Sequence, residues 1–544
     1  MTCKNCGNEI RDDAKFCPHC GAVSGEAVVA KTAGPEIPAG GGRKKGLLIG
    51  GAVAAVAVIA LLTAVVSGMF ASPKGQAEKA LAKSVAAYAA AGEKIGVPDL
   101  YELTDRRSVS QNFELELGSI NSAVTGYDLS ALQGLGLRMN TGLDGDARRM
   151  SFELGAFWGE EDILSLRMLA DDDEVYVVSP QFTGGTAYGV NTETLGEDLT
   201  AMGVEDAGSV SFNLFDLMDL AVPAGQYKEI RQQVKKANKA LWEAAEVEKT
   251  GSRILSVNGA ESKTTAYRIV FPQAALEDYV DAMAELMNSV NYFQLYEELL
   301  RGMGMPQEEL DSFMDELEEL DVYGELADGL KELIGEVGDL ELEVDLSGGC
   351  VAAVFYQGEL YGSQLELSLY LGGGEAYVDD LCLEIGLDGQ VVTLDSTGDH
   401  SARGGAFTDV TEIRGSFPTI ISDLRYDLGS HHLEWELELE NAGGLDMAGQ
   451  LVMGKNSIDL NLEDISLQVM GLEVCSLGLD YYMGPCEGVD VTTTSSRMLT
   501  EMDETELTGL AEELQASAMT WMEEIQALIL QRLPQEVLWA LMFG

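Results

Sequence analysis

At 544 residues the chain is too long for one compact core, so more than one structural unit is expected. Apolar types make up 46% and charged types 23%, which excludes wholesale disorder and collagen-like sequence. The 34 Lys and Arg stand against 91 Asp and Glu, a formal net charge of -57. Residues 1–70 hold seven basic and five acidic side chains, so the acidity belongs to the rest of the chain. Such a field repels phosphate backbones, and no nucleic-acid partner is expected.

The chain opens with two CxxC knuckles, Cys3-Lys4-Asn5-Cys6 and Cys17-Pro18-His19-Cys20, each followed by glycine (Gly7, Gly21). Four thiolates at this spacing suit a tetrahedral Zn²⁺, and Cys3, Cys6, Cys17 and Cys20 are its expected ligands. They close the coordination shell, which leaves His19 a spectator. About twenty residues build no core, so the metal is structural and supplies the folding energy. The pattern Cys3, Cys6, Gly7, Ile10, Phe16, Cys17, Cys20, Gly21 resembles the zinc ribbon at the N-terminus of many bacterial membrane proteins. Basic and acidic residues balance within 1–21, with no basic aromatic patch, so a protein contact suits this ribbon (1–22) better than nucleic acid.

Residues 23–45, rich in Ala, Gly and Pro, read as a flexible linker. Gly46–Phe70 is 25 residues without a charge, about 37 Å as a helix, which is enough to cross a bilayer core of about 30 Å. It is too long, and too far from the start, for a cleavable signal. A single-pass transmembrane helix is expected, with the bilayer as its partner. Basic residues Lys31, Arg43, Lys44 and Lys45 precede it, and Lys74, Lys79 and Lys83 follow it. That narrow positive-inside bias agrees with the cysteines, because zinc thiolates persist in a reducing cytosol. The expected placement is the cell membrane, ribbon cytoplasmic, residues 75–544 extracytoplasmic.

The acidic part is expected to be an α+β domain, a large antiparallel curved sheet covered by amphipathic helices. Leu81, Val85, Tyr88 and Ile95 make a helical stripe in 76–95. Period-two alternation then marks strands at Phe113–Leu117, Met150/Phe152/Leu154, Leu164/Leu166/Met168 and Val175–Val178, with turns at Asp171–Asp173 and Gly184-Gly185. A strand after Asn258-Gly259 ends at Pro272. Helices are expected over Tyr227–Val247, 274–302 and 306–337, the last two carrying Met283, Met287, Leu310, Phe313, Met314 and Leu317. Strands resume at Leu342/Val344/Leu346, Leu365–Leu371 and Leu433–Leu439, so two sheet regions, 100–272 and 340–495, flank helices at 274–337. A final helix is expected over 503–533, and the apolar tail Val537–Phe543 is expected to dock on the domain.

With Glu174–Pro180 followed by Tyr188-Gly189-Val190, this layout loosely resembles the half-barrel of LolA/LppX-type envelope lipoproteins. Those proteins hold acyl chains between sheet and helices, which implies a hydrophobic-ligand site. There is no lipobox cysteine, so the anchor here is the helix.

No catalytic signature is present, and no enzyme is expected. His431 and His432 are adjacent on a strand and face apart, so they share no metal. Gly449–Asn456 departs from a phosphate loop at Asn456 and reads as a hairpin turn. Cys350, Cys382, Cys475 and Cys486 allow two disulfides, Cys475–Cys486 being the shortest closure. Lys228, Arg231, Lys235 and Lys239, with Lys236, form a basic helix face best read as solvated and paired. Asp171–Asp173 lacks the spacing of a calcium loop. The expected role is a membrane-anchored envelope protein with an external ligand- or partner-binding domain that senses or scaffolds. The alternative is a tethered lipid-binding protein.

Purified full-length protein should carry about one zinc per chain by metal analysis. Cys3→Ser with Cys20→Ser should abolish the metal while leaving the circular dichroism of the acidic domain unchanged.

Overall fold

A computed structural model describes residues 73–95, 108–201, 215, 224–257, 260–289, 297, 300, 301, 305, 307–319, 322–372, 379–454, 456–535, 537 and 538. The ribbon, the linker and the 46–70 segment lie outside these residues. No described helix is long and apolar enough to cross a membrane.

Alternating sequence becomes strand wherever one side chain in two can be buried. It does so twenty times here. The first group is β1 (Ser108–Ile120), β2 (Leu135–Asp144), β3 (Arg149–Trp158), β4 (Glu161–Ala170), β5 (Glu174–Val178) and β6 (Ala187–Asn191). The second starts with β7 (Glu246–Val257), β8 (Ala260–Phe271), β9 (Leu340–Ser347), β10 (Cys350–Leu360), β11 (Ser363–Gly372), β12 (Asp380–Leu387) and β13 (Gln390–Thr397). It continues with β14 (Ala406–Arg414), β15 (Ile420–Asp427), β16 (His432–Leu439), β17 (Gly443–Met453), β18 (Ile458–Val469) and β19 (Leu472–Pro485), and β20 (Ser496–Met498) comes last.

Each of β7 to β19 pairs antiparallel with the next. β19 then pairs with β1, which leads on through β6, and β20 joins β6 in parallel. The two strand-rich stretches thus share one sheet. Its outer strands, β7 and β20, do not pair with each other, so the sheet is open and not a closed barrel. One edge is only three residues long and the other is bulged at Lys249/Gly251, two devices that blunt edge pairing.

Among the described residues six long helices accompany it: α1 (Pro73–Ile95), α2 (Ala224–Ala244), α3 (Gln273–Ser289), α4 (Gln307–Glu319), α5 (Val322–Val337) and α6 (Glu504–Arg532). The helix expected over 227–247 stops at Ala244. Val247 instead pairs with Ile269 in β7, where alternation around Gly251 takes over. The stretch 306–337 is two helices, and of 274–302 the structure describes α3 to Ser289 and helical residues again at Glu297, Leu300 and Arg301.

The tightest core lies where α1, α2, α3 and α5 meet β7–β11. Ala77, Ala80 and Leu81 of α1, Leu241 and Trp242 of α2, and Leu333 and Ile334 of α5 are buried. So are Ile269, Phe271, Leu342, Val344 and Val354 of the strands. Trp242 meets Phe271 at 5.7 Å between ring centroids, and the Tyr267 hydroxyl donates to Gln76 Oε1 at 2.6 Å. On the other face, fully buried Asp345 accepts at Oδ2 from Arg253 Nε (2.6 Å) and Thr264 Oγ1 (3.0 Å), which offsets part of the cost of burying its charge, while its Oδ1 has no hydrogen-bond partner. Arg253 also lies 4.5 Å over the Phe355 ring.

Leu342→Ala should cost about 2–5 kcal/mol, because its fully buried site cannot collapse around the lost side chain. Urea unfolding of the variant against the parent protein measures it.

Candidate functional site: an apolar sheet face and a chamber beneath the last helix

Register shows how the faces are sorted. Leu433, Gly449, Leu462, Leu479, Leu115, Leu137, Ala156 and Leu164 are successive partners across β16–β19 and β1–β4. Through the same eight strands the alternate row is His432, Gln450, Asn461, Asp480, Glu114, Arg138, Gly155 and Ser165. One face is apolar and the other polar, strand after strand. A second apolar row starts at Tyr267 under α1 and runs through Val344, Val354, Leu369, Leu383, Leu394, Ile413, Ile420, Leu439, Gly443 and Val469 to Leu472.

Among the described residues helices pack on this face mainly near the sheet's two edges, and the end of α1 reaches the β13–β14 loop, where Lys94 donates to Ser401 O. Across β12–β18 its side chains are mostly half-buried, with Leu462 and Ile465 buried. Leu137, Leu154, Trp435 and Leu467 are exposed. Contiguous apolar surface of this kind in water marks a binding site.

Over β4–β6 the cover is α6, and it is held at its ends. At its start Asp503 caps Glu506 N (2.9 Å) and Glu506 Oε2 accepts from Asp503 N (3.1 Å), while Arg497 pairs with Glu506 at 2.8 Å. Further along, Trp521 Nε1 donates to Ile163 O (2.7 Å) and its ring meets Phe182 edge-on at 5.5 Å. Arg532 donates to Trp158 O (3.0 Å), pairs with Glu161 (2.9 Å) and stacks over the Trp158 ring. Leu533 and Val537 pack on Trp158, which places the start of the apolar tail; 539–544 lie outside the described residues.

Between these anchors the helix stands off the sheet. Leu510, Leu514 and Ala518, one face of α6 at four-residue spacing, look across a chamber of about 530 Å³ at Leu166, Val175, Val177, Tyr188 and Val190. That volume lies within the range of small-ligand sites. The polar groups in its wall are engaged with each other: Thr183 Oγ1 donates to Ser179 O (2.8 Å) and Ser179 Oγ to Gln181 Oε1 (3.2 Å). The chamber therefore suits an apolar chain and holds no charged group for a headgroup. A smaller cavity of about 250 Å³ separates α2, α3 and α5, lined by Met283, Met287, Tyr279 and Tyr323, so these methionines sit on packed helix faces.

The other expected residues are scattered. Cys475 and Cys486 sit at opposite ends of β19, eleven positions apart at about 3.3 Å each, far beyond disulfide reach. All four described cysteines are free, which corrects the suggested closure. His431 is not on the strand. It occupies a turn at φ 60°, with Nδ1 3.0 Å from the Tyr426 hydroxyl, and His432 begins β16 3.4 Å from Glu434. Asp171 closes its own turn, accepting from Asp173 N and Glu174 N. Gly449–Met453 is strand, turning only at 454–457. Lys235, Lys236 and Lys239 are exposed, Lys239 paired with Glu243 (3.6 Å), while the Lys228 and Arg231 side chains lie outside the described residues. Among the described residues no three His, Cys, Asp or Glu side chains group to hold a metal.

His400 has the densest polar surroundings. Its Nε2 lies 2.7 Å from Asp409 Oδ1 and its ring stacks on Phe407 at 5.4 Å. Burial pushes the Asp409 carboxyl up, but hydrogen bonds from His400, Ser396 and Thr411 together hold it below the usual range. Burial raises Asp379 despite its pair with Arg403. Asp399, accepting from Arg403 N (3.0 Å) and Gly404 N (2.9 Å), is lowered to about 2. The Ser396 and Thr411 hydroxyls donate to the Asp409 carboxylate, and the network ties the β13–β14 loop.

Residues 2–23 match the zinc-ribbon domain family. The chain begins with a zinc ribbon. No curated protein and no solved structure matches the chain. The ribbon's donor set, two pairs of thiols, fits one tetrahedral Zn²⁺ held by Cys3, Cys6, Cys17 and Cys20. None of its ligands falls in the acidic domain. The sequence named Leu510, Leu514 and the β4–β6 strands separately; nothing local in it says that they face one another.

A carboxyl held below its ordinary value stabilises the fold above that value and stops doing so as pH falls through the lowered one. Asp399 should thus titrate near 2 by NMR, and its loop should loosen only as pH falls from about 3.8 toward 2. Asp399→Ala at neutral pH should speed amide exchange at Arg403 and Gly404 roughly tenfold.

Proposed function

We propose that the acidic domain binds an elongated apolar ligand, an acyl chain, along its apolar sheet face, with the open pocket beneath α6 as part of the site. The observation that carries this reading is the sorted register: apolar rows continue for eight to twelve strands, and Leu137, Leu154, Trp435 and Leu467 on that face are exposed. Water-exposed apolar area costs roughly 25 cal/mol per Å², so a ligand that covers it is bound by the term that would otherwise bury a core. A chamber lined by apolar side chains, whose few polar groups are mutually bonded, selects hydrocarbon over polar solutes.

Residues 46–70 are proposed as the membrane anchor, with the zinc ribbon on the cytoplasmic side as a structural, protein-contact module and the acidic domain outside. In that arrangement the protein is a tethered envelope lipid-binding protein, and ligand occupancy outside becomes available to a contact inside. The absence of a catalytic motif favours binding over chemistry.

The test is displacement of a fluorescent fatty acid from the full-length protein in mild detergent. Micromolar binding is expected, and Ala518→Trp, which fills the chamber, should weaken it about tenfold. Absence of binding, or full binding by a folded Ala518→Trp variant, would overturn the reading.

A further inference from the structure

The two rims of the sheet, where strands turn, differ in chemistry. One rim is charged: Asp146 lies between β2 and β3, Asp171–Asp173 between β4 and β5, Asp399 and Arg403 between β13 and β14, and Glu487 just after β19. The opposite rim carries exposed carboxylates at three turns, Glu160, Asp388 and Glu440, and exposed apolar side chains at four others: Tyr361 between β10 and β11, Phe417 between β14 and β15, Met470 between β18 and β19, and Val124 and Tyr127 between β1 and β2.

The patch is densest at three adjoining turns. Met470 N donates to Ala442 O, and Asn121 N to Val474 O, which ties 439–442, 470–474 and 121–127 side by side. Here Leu439, Leu467, Val469, Met470, Leu472 and Tyr127 are all exposed, Met470 at 83% and Leu472 at 56%. Met470 also has φ 52°, a left-handed turn position where Asn, Asp or Gly is ordinarily found. A bulky apolar side chain is thus held outward where the backbone disfavours it. This patch is the end of the apolar row that starts under α1, so the site and the rim are one continuous surface.

The direction from which the chain enters supplies the occupant. Gly46–Phe70, uncharged throughout, ends three residues before Pro73. Lys74 of α1 donates to Glu243 O (3.0 Å) and Ala245 O (2.9 Å), just before β7 starts. Glu246 pairs with Val270, and the next residue, Phe271, with Leu340, so this point lies on the rim that also bears Tyr361, Phe417 and Met470. The described chain begins on the apolar rim. Glu440 and Glu473 beside the patch oppose anionic headgroups.

We propose that this rim, centred on 439–442, 470–474 and 121–127, seats in the headgroup and acyl boundary of a bilayer of zwitterionic lipid, which opens the apolar face to it. The proposal rests on reading 46–70 as the anchor and deepens the acyl-chain reading by naming the bilayer as the source of ligand.

The test reconstitutes the full-length protein in phosphatidylcholine vesicles with a benzophenone amino acid at Leu472, at Tyr127 as a second probe, or at Glu487 on the charged rim. After irradiation, lipid adducts at positions 472 and 127 should exceed those at 487 at least tenfold. Protein that floats with the vesicles but gives equal yields at both rims, or adducts only to a second copy or to its own chain, overturns the rim assignment. Protein that does not float overturns the anchor and the rim together. Ala518→Trp should leave the position 472 adduct unchanged, so failure of chamber binding and failure of the rim are read separately.

Discussion

A β-strand turns successive side chains to opposite faces, and this domain carries that rule through twenty hydrogen-bonded strands without closing them into a ring. Every hairpin inherits its register from the one before, so an apolar residue on one strand finds an apolar partner on the next. The outcome is a sheet with one water-compatible face and one that needs cover. Among the described residues helices gather mainly near the two outer strands, α1, α2, α3 and α5 at one and α6 at the other, with the end of α1 reaching the β13–β14 loop through Lys94. Everything distinctive about the domain, including the chamber and the exposed central face, follows from supplying less cover than the alternation demands.

Cohesion is correspondingly uneven. Beside β7–β11 side chains are buried to completion, and on the polar face Arg253 and Thr264 hold Asp345 through its Oδ2 alone. Farther along, the sheet is held by its ladder and by cross-strand ion pairs on the polar face, such as Arg414 with Asp395 and Arg268 with Glu341. Exposed pairs of this kind contribute little each. Few cations are available against the many carboxylates, so the polar face remains acidic and repels polyanions. On the reading proposed above, the acidic face meets water and the apolar face is left for hydrocarbon.

The helix α6 shows how a cover can avoid becoming a core. Its capping box and Arg497 hold one end, Trp521 and Arg532 hold the rest, and each anchor is a polar contact to backbone or a charged partner. Leu510, Leu514 and Ala518 are left facing the sheet across empty volume. Filling that gap with larger side chains would add hydrophobic burial, so its presence is consistent with a binding role that competes with packing.

Much of this was legible in the residues. The paired cysteine knuckles declare a zinc ribbon because metal chemistry depends on spacing over a few positions, and alternation with glycine turns declares hairpins because both are local. The stop of α2 at Ala244, the split of α4 from α5 and the turn position of His431 are boundary matters that local patterns blur. The pairing of β1 with β19, hundreds of residues apart, is invisible to any periodicity, since it depends on which strand edges remain unpaired once every neighbouring hairpin has formed. The same holds for α6 over β4–β6 and for Cys475 and Cys486, close in sequence yet at the two ends of one extended strand. Sequence alone determined the zinc ribbon's paired cysteines, the strand alternation and the chemistry of each face, because these are set within a few bonds. Tertiary structure alone decided which faces join, which rim the chain enters and where the apolar surface stays open, because those depend on long-range edges competing for partners.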